Sequence, residues 1–376
     1  MMKKCIVIPD SFKGTLSAIQ ICDIMKESVL KHYSNCNVIS IPVADGGEGT
    51  VDCFVHAVNA EKIPVQTTGP FGEPIQAYYA RYNQTAIIET ASAAGLPQAE
   101  GRLNPCKATT YGMGAIILDA IKKGCTEIVL GLGGSCTNDG GCGVAAALGA
   151  KFYNENNNTF IPTGDTLRDI RSIDLSETKK LLAGCTITAM CDIDNPMFGP
   201  LGAAYIFAPQ KGADEAAVKL LDQNLIALSG LIEEKLGLDV SKLPGSGAAG
   251  ALGAGVVAFL GGSLKSGIET ILDLIHFNAL LDGADMVFTG EGRIDSQSLN
   301  GKAISGIAKR AMEKNVPVTV IAGSIGQDLE EEPYHMGVTA IFSINREAKD
   351  FEISRYQSET NLKKTMNDLL RFYKNT

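Results

Sequence analysis

Short β-branched runs that stop at an acidic or glycine-rich turn, and then give way to helical spacing, recur at both ends of this chain. Cys5–Pro9 stops at Asp10 and is followed by a helical pattern from about Ser17 to His32. Val38–Pro42 stops at Ala44-Asp45-Gly46-Gly47 and is followed by a helical pattern through Asn59. From Ala284 the alternation returns. Met286–Thr289 reads as a strand, followed by a loop and a helix from about Lys302, and Val318–Ala322 and Ala340–Ile344 read as further strands at helix-length spacing. Such punctuation predicts a parallel sheet covered by helices.

The middle of the chain reads differently. Residues 62–90 form extended segments with turns at Gly69-Pro70-Phe71-Gly72 and Tyr82-Asn83, a β meander. A helix is expected at about 107–123, a strand at Glu127–Leu130, a glycine-rich stretch at 131–143 and a helix into Ala150. A polar excursion over 151–184 then leads to a strand at Thr186–Cys191. The expected fold is α/β in two domains. A doubly wound parallel sheet of flavodoxin or Rossmann type would be built from 1–65 and 276–376, and 66–275 would be an inserted mixed α/β domain, with the active site in the cleft between them. Leu243–Leu264 carries no charge, but its glycines and alanines make it only weakly apolar. It reads as a buried glycine-rich loop and helix rather than a membrane span.

Composition narrows the function. The 376 residues carry a net charge of −9 and no long basic run, which argues against nucleic acid as a partner. The 10 cysteines include no C-x-x-C pair and the 4 histidines lie far apart, so a zinc site is not expected. Scattered thiols suit a reducing compartment, and the apolar run after Lys3 and Lys4 is too short for a signal-peptide core. Both point to the cytoplasm.

The 41 glycines cluster where chemistry is expected. Glu127–Gly141 reads strand, glycine loop, helix: the glycines let backbone amides approach an anion, and the helix start adds partial positive charge. One helix end contributes only about 0.3–1 kcal/mol at an exposed site, so several loops or a metal must converge. Ala44–Thr50 and Thr289–Asp295 place carboxylates beside glycines at strand ends, which suits Mg²⁺ or a helix cap or turn equally. Cys191–Pro196 offers Asp192 and Asp194 after a strand, as a base for a hydroxyl or as a turn. Asp10–Gly14 and Pro209–Gly212 each add a lysine. There is no G-x-x-x-x-G-K-[ST], since Gly301-Lys302 is followed by Ala303. Gly245–Gly250 matches G-x-G-x-x-G but lacks a clear preceding strand. Taken together, these residues favour phosphoryl transfer, where positioning and charge neutralisation supply most of the catalysis.

Six segments, taken in order, resemble the bacterial glycerate kinase type 1 family. They are Asp10–Gly14, Ala44–Gly49, Gly133–Gly141, Cys191–Pro196, Pro209–Ala213 and Gly290–Gln297, and the resemblance runs from about residue 3 to residue 345. It implies a two-domain α/β fold and transfer of the ATP γ-phosphate to D-glycerate with Mg²⁺, usually giving 2-phosphoglycerate. Attack at the 3-hydroxyl, or a different small hydroxy acid, is the alternative.

Our own assignment of roles within this reading makes Asp192 the base at the 2-hydroxyl, while Lys13 and Arg293 clamp the glycerate carboxylate or the γ-phosphate. Ser11, Asp45, Gly46, Gly47, Gly133 and Gly134 join Ser135, Asn138, Asp139, Asn195, Lys211 and Gln297 as substrate- and phosphate-binding groups. Glu291 and Asp295 are assigned to Mg²⁺. The expected partners are these small molecules, with no nucleic acid or membrane, and a homodimer is entertained as the assembly. Two competing readings are weaker. An NAD-dependent hydroxy-acid dehydrogenase would need its fingerprint where Asp10–Gly14 stands, and a non-catalytic sugar-acid sensor would gain nothing from carboxylates without a metal.

Overall fold

The computed structural model describes residues 2–44, 46–296, 303–347 and 349–375. In chain order the strands are β1 (Lys4–Val7), β2 (Asn37–Ser40), β3 (Glu61–Thr68), β4 (Pro74–Tyr82), β5 (Thr85–Glu89), β6 (Glu127–Gly131) and β7 (Lys151–Tyr153). They continue with β8 (Thr159–Phe160), β9 (Ser172–Asp174), β10 (Thr186–Met190), β11 (Ser263–Lys265), β12 (Met286–Ile294), β13 (Val318–Ile325) and β14 (Val338–Ser343). The chain is thus mixed α/β. Its contacts divide into two compact units: Met1–Asp45, His56–Asn59 and Ser266–Thr376 form one, and Gly46–Val55 and Ala60–Lys265 the other.

The first unit holds a sheet in the order β14-β13-β12-β1-β2, with every pairing parallel. Side chains alternate across the strands, and both faces are apolar. Cys5, Val7, Met286, Phe288 and Ile321 pack on one side against helices Ala18–His32 and Ser358–Asn375. Val320, Ala322 and Ile294 pack on the other against Ile304 and Ala308 of helix Ala303–Glu313. Helix Ala18–His32 begins at a capping box: Ser17 Oγ accepts the Gln20 amide and Gln20 Oε1 accepts the Ser17 amide. Such a cap contributes about 1 kcal/mol. Its Ile21, Met25 and Val29, at helical spacing, form the buried stripe. β12 runs five residues beyond the expected Thr289, because Arg293 and Ile294 still pair with Ser324 and Ile325. Glu291 and Arg293 therefore sit on a strand and not in a loop.

The second unit holds a six-stranded sheet in the order β11-β10-β6-β5-β4-β3. β11, β10, β6 and β5 run parallel, and β4 and β3 add an antiparallel edge. β3 pairs with β4 along its whole length, Glu61 opposite Arg81 through Thr68 opposite Pro74, so the break expected at residue 65 falls inside a strand of this unit. The break expected at residue 275 falls just past helix Gly267–Leu274, whose Glu269 and Asp273 both accept from Arg310 of the first unit's helix Ala303–Glu313. The polar excursion contains a small antiparallel sheet, β8-β7-β9. Leu243–Leu264 contains helix Ala248–Leu260, mostly buried, and no described helix is long and apolar enough to cross a membrane.

Candidate functional site

In the second unit the strand ends bring two glycine loops into direct contact. Gly46 O accepts the Gly133 amide at 3.0 Å. A Cβ on Gly131 would lie 2.4 Å from Gly46 O, and one on Gly133 would lie 2.6 Å from the Gly47 Cα. Both distances are far inside van der Waals contact, so backbone meets backbone here only because neither residue has a side chain. The end of β5 supports the same junction: Thr90 donates both its amide and its Oγ1 to Gly131 O, each at 2.8 Å. Gly133 is half-buried and Gly134 exposed, so the loop's outer edge is open to solvent while its base is packed.

The far side of this loop is held from within. Asp139 is fully buried. Its Oδ2 accepts Thr110 N at 2.7 Å, Thr110 Oγ1 at 2.8 Å and Gly143 N at 3.2 Å, and its Oδ1 accepts Gly141 N at 3.1 Å. Burial pushes its carboxyl above the usual range, and these bonds oppose the shift. With both oxygens committed, Asp139 holds the loop's shape; it does not face a ligand. Lys211, assigned from the sequence as a binding group, is only 2% exposed. Its Nζ donates to Ser135 Oγ and Thr137 O, each at 2.8 Å. Burial lowers its pKa to about 8.

Asn138 and Thr137 carry the clearest sign of a missing polar partner. Both are wholly buried, and Asn138 Oδ1, Asn138 Nδ2 and Thr137 Oγ1 have no hydrogen-bond partner. Leaving such an atom unpaired costs about 1–3 kcal/mol, so these side chains fit a site completed by polar atoms of a bound molecule or ordered water.

The segment after β10 is pressed against the Gly245–Gly250 turn. A Cβ on Gly247 would lie 2.2 Å from Pro196 O, and one on Gly250 2.0 Å from Thr137 O. Ala249, Gly250 and Ala251 are all left-handed, with φ of 54°, 68° and 65°. This is a strained turn, not the strand-to-helix bend of a dinucleotide fingerprint. Asp192 is half-buried at the strand end, Asp194 is exposed, and the Asn195 Nδ2 donates to Leu201 O at 2.8 Å. The Asn195 amide nitrogen therefore fixes its own loop.

The first unit gathers the remaining charged residues. The Asp10 amide donates to Gly290 O at 2.8 Å, and a Cβ on Gly292 would lie 3.2 Å from the Lys13 amide nitrogen. Asp10–Gly14 and Gly290–Asp295 are thus neighbours at the ends of β1 and β12. Ser11 is half-buried and Lys13 exposed. Glu291 and Arg293 lie on β12 and Asp295 directly follows it, with both carboxylates half-buried. Arg293 is 67% exposed, and its Nε donates to Asp295 Oδ2 at 3.2 Å. Carboxylates at such a strand end suit Mg²⁺, a hard cation that takes one or two carboxylates and completes its shell with phosphate and water oxygens. Among the described residues no group of three or more His, Cys, Asp or Glu is placed to hold a metal ion. Asp45 and Gln297 lie outside the described residues.

Sequence reasoning missed Glu89. It ends β5, is 6% exposed, and its Oε1 accepts the Val51 amide at the start of helix Thr50–Val58. The one available signal was an acidic residue closing an otherwise apolar strand before Thr-Ala-Ser-Ala-Ala-Gly.

Glycine loops at the carboxyl ends of parallel strands, with carboxylates and basic groups beside them, define an enzyme that handles anionic substrates on an α/β scaffold. Residues 5–374 match the model of the glycerate kinase family. A glycerate kinase of Bacillus cereus is 41% identical over 99% of this chain and 98% of its own length, and a glycerate 2-kinase of Escherichia coli is 41% identical over 91% and 90%. The crystal structure of a putative glycerate kinase 2 from Salmonella typhimurium superposes with a TM-score of 0.88 at 37% identity, covering 100% of this chain and 99% of that one. The chain belongs to the glycerate kinase family.

Proposed function

We propose that the protein transfers the γ-phosphate of ATP to the 2-hydroxyl of D-glycerate, giving 2-phosphoglycerate and ADP. The family match supports the kinase class, and the name of the Escherichia coli relative supports the 2-position. The single observation that carries the reading is the junction of Gly46–Gly47 with Gly131–Gly133 beside the unsatisfied Asn138. Packed backbone and a waiting amide are what an anionic group needs there.

In this reading Gly47, Gly133 and Gly134 offer backbone to the anion, and Ser135 and Lys211 keep that backbone in place from below. Asp192 accepts the proton of the attacking hydroxyl, which sharpens the nucleophile as it approaches phosphorus. Lys13 and Arg293 neutralise charge on the glycerate carboxylate or the transferring phosphoryl group, and the guanidinium suits a two-oxygen contact. Glu291 and Asp295 would hold Mg²⁺, which when bound with ATP offsets charge on the phosphate oxygens. The finer description of the scaffold belongs to the same proposal: a doubly wound, flavodoxin-like domain interrupted by an inserted one. A cytoplasmic location, where ATP is available, goes with it.

ADP release from purified protein tests this. ADP should form only when ATP, D-glycerate and a divalent cation are all present. ADP formation without D-glycerate, or without the cation, would contradict the reading.

A further inference from the structure

Glu89 joins two segments that are distant in sequence. Its carboxylate accepts the amides of Val51 and Gly49, which open helix Thr50–Val58 and close the Gly46–Gly49 loop. In the β5–β6 register Glu89 lies opposite Gly131, and the next residue, Thr90, holds Gly131 O. One dipeptide at a strand end therefore clamps both glycine loops of the site, the first at its helical end and the second at its base. We propose that Glu89 is a positioning residue for the phosphoryl-transfer site, whose ionised carboxylate locks the Gly46–Val51 segment to β5 and whose protonation releases it. The kinetic consequence rests on the glycerate kinase reading; the lock itself does not.

The surroundings make this lock sensitive to pH. Burial raises the Glu89 pKa to about 7, against the pull of the two amides, and the nearby charges of Asp52 and Glu48 raise it further. From β3, Lys62 is engaged by Asp52. From β4, Tyr78, on the Glu89 face by alternation from the Ala80–Ile87 pair, lies under the same ammonium at 5.0 Å. The facing end of β6, Leu130–Gly134, and the following Thr90–Ala94 contain no titratable side chain. What favours the ionised form is thus the pair of amides it locks, so ionisation and loop order are linked.

The sign follows from linkage. The native pKa of about 7 exceeds the ordinary value of 4.5, so the folded state binds more protons between them. Stability therefore falls as pH rises through that window, and the penalty is fully present above it.

The test combines kcat/KM profiles from about pH 5 to about pH 9 with amide exchange at Val51 and Gly49, for the native protein, Glu89→Gln and Glu89→Asp. The native profile should fall about tenfold per pH unit below about 7, with protection at Val51 falling in parallel. Glu89→Gln should be slower at neutral pH and lose that limb, while Glu89→Asp should keep a limb at reduced rate. An unchanged acid limb in Glu89→Gln, or Val51 protection that does not change across pH 7 in the native protein, overturns the proposal. If no glycerate phosphorylation occurs at all, the exchange measurement still decides the lock separately from the reaction.

Discussion

The two units carry their candidate chemistry in opposite ways. In the second, polar groups are taken inside: Asp139, Lys211 and Glu89 are buried and bonded to the backbone of the glycine loops. In the first, Lys13 and Arg293 stand at the surface beside half-buried Ser11, Glu291 and Asp295. A loop that must present backbone amides needs a rigid frame, because its recognition is a matter of shape. A charged side chain that must meet a phosphate needs reach, and a surface ion pair such as Arg293–Asp295 costs little to rearrange. Substitutions in the second unit should therefore damage stability and rate together, whereas those in the first should damage rate alone.

The largest effect is expected at the exception, Asp192, which belongs to the second unit yet is half-buried and assigned to the reacting hydroxyl. Asp192→Asn should lower kcat by about 10²–10⁴ while thermal unfolding stays unchanged; full turnover would remove it as the base. Next is Asp139→Asn, which turns an NH₂ toward donors that now find an acceptor. It should cost about 2–4 kcal/mol in denaturant unfolding and lower kcat/KM as well. A destabilised variant with native kinetics would separate the frame from the site.

Arg293→Lys should raise KM or lower kcat by about 10–100-fold with no change in unfolding midpoint, since the residue is largely exposed. A shift in stability would break the contrast between the units. Smallest is Ala249→Gly. Relief of its left-handed backbone should stabilise the protein by about 0.5 kcal/mol, read by the same unfolding assay.

The chemistry-bearing segments were legible because glycine and carboxylate clusters at strand ends are local patterns. The helical pattern from about Ser17 begins where helix Ala18–His32 does, and β1, β2 and β10 lie close to where the β-branched runs Cys5–Pro9, Val38–Pro42 and Thr186–Cys191 place them. Burial of polar groups was not legible. Lys211 and Asp139 were assigned to substrate and phosphate, and only tertiary packing turns them inward. Glu89 depends on a partner 38 positions away, a relation that exists only once β5 stands beside the start of helix Thr50–Val58. β12 overran its expected end because Gly290 must lie against Ile321, where a Cβ would sit 2.0 Å from the carbonyl oxygen, and a glycine in sequence reads as a loop.

The most direct test of the central claim is to supply ATP, a divalent cation and D-glycerate in the presence of enolase, with and without phosphoglycerate mutase. Enolase consumes 2-phosphoglycerate but not its 3-isomer. The account predicts phosphoenolpyruvate at the full rate without the mutase; its appearance only after the mutase is added would mean attack by the 3-hydroxyl, and would contradict the assignment of Asp192 to the 2-position.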